Sequence, residues 1–159
     1  MTHSVTTERW LVDAINFEVD TALGMTIRGR FGRVGGSYEV GTAGTRIELA
    51  ADATSIDTGN GIWDGLLRSS DGALTEHPQV RFSSTHVREL GGGALRVEGQ
   101  LEVGGRVEPV AFDATVKEVE DELRLEAATT IDRQRLGEGA DRFVVFLPAT
   151  VRLTVHLSP

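Results

Sequence analysis

The sequence predicts an all-β fold: one antiparallel barrel or sandwich of about eight strands, with a single short helix between two of them. Three observations lead there. Apolar and polar residues alternate with period two over most of the chain, as strands with one buried face require. Glycine pairs and acidic turn residues punctuate these runs at short intervals. The chain has 159 residues, 40% of them apolar, which is enough for one domain with a core and too little for two.

Taken in order, residues 10–19, 25–31 and 46–53 alternate loosely, with Gly35-Gly36 and 41–44 read as turns between them. Segment 60–70 breaks the period. There Ile62 and Leu66, and Trp63 and Leu67, lie four apart on one helical turn, and Asn60 can cap it, so a short helix is expected over 61–69. Such a helix covers one end of a barrel. Pro78 opens the next run, 80–87. After the glycines at 91–93, Leu95, Val97, Gly99, Leu101 and Val103 alternate with Arg96, Glu98, Gln100 and Glu102. Gly104-Gly105 reads as a tight hairpin turn into 107–119. Beyond Glu120-Asp121, Leu123, Leu125, Ala127, Thr129 and Ile131 alternate with polar partners, and Val151, Leu153, Val155 and Leu157 end the series. No repeat, linker or low-complexity tail divides residues 1–159, so a single domain is expected.

Charge narrows the function. The chain carries 16 basic and 24 acidic residues, a net charge of −8, and its one lysine, Lys117, stands among scattered arginines. A nucleic-acid partner is not expected, since phosphate backbones need clustered cations. With no cysteine, disulfides, thiolate catalysis and iron–sulfur ligation are excluded. The longest apolar stretch, 143–151, is far shorter than the roughly 20 residues of a membrane helix, so no membrane insertion is expected. The polar start, 1–9, has no apolar run behind it, which predicts no secretory leader and a cytoplasmic location.

Candidates for chemistry are few. His3, His77, His86 and His156 have no ligand spacing, so no metal or cofactor is expected, and strand histidines are ordinarily solvated or hydrogen-bonded. Asp57-Thr58-Gly59 matches the loop of aspartic proteases, in which two aspartates share a proton, and a homodimer could supply the pair. Against it, Asn60 follows where a small residue is usual, and Asp-x-Gly commonly closes a turn. Glu98, Glu102 and Glu126 lie opposite the apolar positions of their strands and form a solvated outer face.

The order of motifs resembles the YceI-like family of lipid-binding barrels. Phe17-Glu18-Val19, Thr26-Ile27-Arg28-Gly29-Arg30-Phe31 and Gly36 look like its first two strands. Ser55-Ile56-Asp57-Thr58-Gly59-Asn60 with Leu67-Arg68-Ser69 is similar to its Ser-Ile-Asp-Thr-Gly stretch, which makes Asp57 a turn residue. His77-Pro78-Gln79-Val80-Arg81-Phe82, Gly99 to Gly105 with Pro109-Val110, and Thr129-Thr130-Ile131-Asp132-Arg133 with Gly137 follow in family order over about 10–157. The resemblance implies a lipocalin-like antiparallel β-barrel that binds, carries or sequesters a long-chain isoprenoid or fatty-acid-like molecule without catalysis, and that often forms a homodimer. The expected lining is Phe17, Val19, Ile27, Phe31, Trp63, Leu66, Leu67, Phe82, Leu95, Val97, Leu101, Phe112, Leu125, Val151 and Leu153. Departures remove polar handles: Thr21 stands where the family has a histidine, and Trp63 and Leu66 replace an arginine and a histidine of its helix. Either the ligand is more wholly apolar or the interior is filled by side chains; a filled barrel would be a structural or interaction module.

Overall fold

The computed structural model describes residues 8–61, 77–131 and 149–159. Strand β1 (Glu8–Asp20) pairs with β10 (Ala149–Ser158) from Leu11↔Ser158 to Asp20↔Thr150. From β10 the sheet continues through β9 (Glu122–Ile131), β8 (Arg106–Val119), β7 (Ala94–Val103), β6 (Gln79–Gly91), β4 (Gly44–Asp52) and β3 (Val34–Gly41), each antiparallel to the last. Strand β3 pairs with β1 and closes an eight-stranded antiparallel barrel. Closure leaves the main ring without a free edge, which a flat sheet of this length would have.

Two short strands lengthen one side of the wall. β2 (Thr26–Phe31) takes the second half of the β1 edge, along Ile15 to Asp20, while β3 takes the first, along Glu8 to Leu11. β5 (Ile56–Asp57) then pairs with β2 as β4 pairs with β3. A 3-10 turn, Ala53–Ser55, joins β4 to β5 and is capped by Asp52, whose side chain accepts from the Thr54 amide. Of the helix expected over 61–69, residues 62–69 lie outside the described residues.

The loose alternation of the early runs has a physical cause. The β1–β10 register skips Asp13, a bulge that moves the inward set from Trp10 and Val12 to Ile15, Phe17 and Val19. A second bulge between Ser84 and His86 shifts β6 in the same way. Gly35-Gly36, expected as a turn, is instead inside β3. Gly36 adopts φ +123° with the Glu48 carbonyl packed where a side chain would start, so glycine here permits close strand contact rather than reversal. Gly104 and Gly105, at φ +59° and +80°, do form the expected tight turn.

The barrel has two unlike ends. At one end, turns of a few residues join β3 to β4, β6 to β7 and β8 to β9. At the other stand the β1–β2 and β7–β8 turns and the longer connections 58–78 and 132–148. The core is concentrated at the short-turn end, where Ile47, Val97, Val155 and Leu157 are all less than 2% exposed. Leu95, Ala114, Leu123, Leu125 and Tyr38 fill the space between them.

Candidate functional site

Pairing in the closed barrel puts the side chains of cross-strand partners on the same face, so register alone sorts the expected lining. Val19 stands opposite Val151 and Ile27, Phe17 opposite Leu153, Ile15 opposite Val155 and Phe31, and Val97 opposite Phe112. Phe82 lies opposite Leu101, and Leu125 opposite Val155. Every described residue of the expected lining is therefore on the inner face. Trp63, Leu66 and Leu67 lie outside the described residues.

Burial along that face is graded. Leu95, Val97 and Leu125 belong to the solid floor at the short-turn end. Phe17, Val19, Ile27, Leu101, Val151 and Leu153, set toward the long-connection end, are half-buried, as are Phe31 and Phe112 beside Ile15 and Val97, whereas Phe82, opposite Leu101, is buried. Among the described residues, the inner face is thus fully buried toward the short-turn end and less completely buried toward the other.

Two aromatic pairs stand between these halves. Phe17 and Phe31 have ring centroids 5.4 Å apart, and Phe82 and Phe112 are 5.3 Å apart, both tilted. Each pair rests on a glycine. A Cβ on Gly29 would stand 2.5 Å from Phe17 Cζ, and one on Gly99 would stand 2.6 Å from Phe82 Cζ. The absence of a side chain lets each ring approach the backbone of the neighbouring strand closely.

Polar groups on this inner face are sparse. Arg106 and Glu108, opposite Val103 and Leu101, form an ion pair of 3.5 Å near the long-connection end. Thr21 is buried where β1 ends, and its hydroxyl donates to the Met25 carbonyl at 3.0 Å, which closes the β1–β2 turn. Apolar contact therefore dominates what this surface can offer a ligand. Burial of apolar surface is worth roughly 25 cal/mol per Å², so a long chain gains affinity here without a specific polar partner.

Sequence reading missed a second cluster, on the outer wall. The bulge at Asp13 faces the bend between β2 and β3, and together they open a groove of about 560 Å³ lined by Asp13, Asn16, Arg30, Glu122 and His156. The Asn16 amide lies 3.1 Å from His156 Nε2, and His156 Nδ1 meets the Glu122 carboxylate. An imidazole with its proton on Nδ1 satisfies both contacts. Among the described residues that line the groove there is no hydroxyl or thiol. The cluster fastens β1, β9 and β10 at the seam where the barrel closes. Three strands contribute to it, so no local spacing could have announced it.

Asp57, the residue of the protease expectation, serves a turn: its Oδ1 accepts from the Gly59 amide at 2.8 Å, and Gly59 adopts φ +75°. Arg30 approaches the other oxygen at 3.9 Å. Glu98 and Glu102 are exposed, and Glu126 pairs with Lys117 at 3.2 Å, all on the outer face.

Known proteins share this architecture. A UPF0312 protein of Vibrio campbellii is 30% identical over 105 residues, 64% of this chain and 56% of the relative. A UPF0312 protein of Shewanella denitrificans is 31% identical over 113 residues, 68% of this chain and 59% of the relative. The matched region thus spans little more than half the length of these relatives. Among crystal structures, Burkholderia cenocepacia BcnA superposes with a TM-score of 0.71 at 19% identity, covering 92% of this chain and 98% of its own. A polyisoprenoid-binding domain from Saccharophagus degradans superposes at 0.63 and 17% identity, covering 97% and 100%. The model of the YceI-like domain matches residues 10–158, almost the whole barrel, and the chain therefore belongs to the YceI-like family.

Proposed function

We propose that this protein binds and carries, or sequesters, a long-chain apolar molecule of the isoprenoid class in the less buried half of its barrel, without catalysing a reaction on it. One observation carries this reading: the inner face is solid at the short-turn end and stays apolar and half-buried at the other. The polyisoprenoid-binding domain of the same fold supports the choice of ligand class. A barrel serving only as a structural module would be packed along its whole length, as the floor around Val97 and Leu157 is.

Native mass spectrometry of the purified protein, followed by solvent extraction, tests the reading. A co-purified isoprenoid-class lipid is expected, and the Leu153→Trp variant should lose it, because Leu153 faces Phe17 across the β1–β10 ladder and an indole there fills the passage. A wild-type protein that binds no isoprenoid, either from cells or from detergent micelles, would overturn it.

A further inference from the structure

The chain has two asparagines, Asn16 and Asn60, and the fold treats them oppositely. Asn16 lies within β1, paired with Thr154 of β10 on one side and Arg30 of β2 on the other. Its side-chain amide lies 3.1 Å from His156 Nε2. The residue after it, Phe17, is fixed in the same two ladders and packs its ring on Phe31. Side chain and following backbone are both held.

Asn60 stands outside the ladders, and Gly61 follows it; both are exposed. The chain reaches them through the turn after β5, in which the Gly59 amide donates to Asp57 Oδ1. The Thr58 hydroxyl accepts from the Asn60 amide and donates to the Asn60 carbonyl, each at a long 3.3 Å and exposed to solvent. A Cβ built on Gly61 meets nothing within 4 Å among the described residues, so the 60–61 peptide has room to turn.

An asparagine followed by glycine offers the least hindrance to closure of the side chain onto the backbone, because no Cβ shields the next nitrogen. The Gly61 nitrogen attacks the Asn60 side-chain carbonyl carbon, Cγ. A C–N bond forms, the Cγ–Nδ2 bond breaks, and the Gly61 amide proton leaves with the amine as ammonia. Water then opens the cyclic imide at either carbonyl. One opening gives aspartate; the other gives isoaspartate, whose main chain runs through the former side chain and is one carbon longer. Water is the only co-reactant.

We propose that Asn60 is a self-modification site, which deamidates through this imide in the folded protein while Asn16 is protected. Each conversion adds a negative charge to a chain of net charge −8, close in sequence to Asp57. The isoaspartate product also lengthens the backbone directly after the Asp57–Gly59 turn. Both changes mark a molecule by its age at one defined place.

Peptide mapping tests this on the intact folded protein, held at mildly alkaline pH and sampled over weeks before digestion. Trypsin releases 10–28 and 47–68, each with one asparagine and no glutamine, so a gain of about 1 Da reports on Asn16 or Asn60 alone. The 47–68 peptide should gain that mass about tenfold faster than 10–28, and fragmentation should place both aspartate and isoaspartate at residue 60. Gly61→Ala should slow the conversion about tenfold, since its Cβ hinders ring closure, and should leave the circular dichroism spectrum unchanged. The proposal is overturned if 47–68 keeps its mass, as it would with the Asn60 side chain held as a helix cap. It is equally overturned if aspartate forms without isoaspartate, if Gly61→Ala converts as fast as the wild type, or if 10–28 converts as fast as 47–68.

Discussion

Single residues show how closely the wall is fitted. A Cβ on Gly99 would collide with the Phe82 ring and the Ser83 carbonyl, whereas one on Gly35 meets nothing within 4 Å. Gly99→Ala should therefore lower stability by about 1–3 kcal/mol in urea denaturation. Gly35→Ala should be neutral or slightly stabilising, because it removes unfolded-state freedom without a clash. Tyr38 is buried, and burial, then the Glu89 carboxylate, push its phenol above the usual value, with a Thr45 hydrogen bond opposing the shift. A raised value in the folded state means that the neutral phenol is favoured there. Its contribution is intact below about pH 10, the unfolded value, and is lost as pH rises through the folded one. Denaturation midpoints between pH 9 and 11 should fall more steeply in the wild type than in Tyr38→Phe.

At the scale of elements, the long side of the barrel depends on one junction. Asp52 ends β4, caps the 3-10 turn through Thr54, and receives Arg33 Nε and Nη2 at 3.0 and 2.8 Å from the bend between β2 and β3. The Thr54 hydrogen bond, then that of Arg33, hold its carboxyl below the usual carboxylate value. Here the charged form is favoured, so the stabilisation is present above the unfolded value of about 4 and is lost as pH falls through the folded one. Asp52→Ala should cost about 1 kcal/mol near neutral pH, as loss of a cap does, and should flatten the acid limb of a stability–pH curve. The bulge at Asp13 is the other device of this scale. It turns β1 so that one strand can serve β3 with its first half and β2 with its second.

For the whole molecule, the two halves should respond independently. Leu125 belongs to the floor, so Leu125→Ala should cost about 3 kcal/mol in thermal or chemical denaturation and leave isoprenoid uptake from micelles intact. Leu153→Trp should do the reverse. A bound isoprenoid stabilises only the folded barrel, and at a hundredfold excess over Kd it should add about 2.7 kcal/mol, read as a higher Tm. That increment should be missing from Leu153→Trp.

Much of this barrel was legible as residues. Strands with strict alternation, such as 95–103 and 123–131, needed no tertiary knowledge, because burial of one face imposes period two on the sequence itself. The Gly104-Gly105 turn was equally plain, since only glycine tolerates two consecutive positive φ values at little cost. The inner placement of Phe17, Ile27 and Leu153 followed from the same alternation once the family order of motifs fixed which runs were strands. Tertiary structure decided the rest. Gly35-Gly36 has the composition of a turn, yet it pairs with Leu49 and Ala50 of β4, and the Glu48 carbonyl packs against Gly36. The Asn16–His156–Glu122 cluster joins residues up to 140 positions apart and exists only where the barrel closes. The grading of the inner face, from buried floor to half-buried wall, exists only once the eight strands are assembled. The same apolar alternation is written along both halves, and only closure of the sheet determines which half is filled.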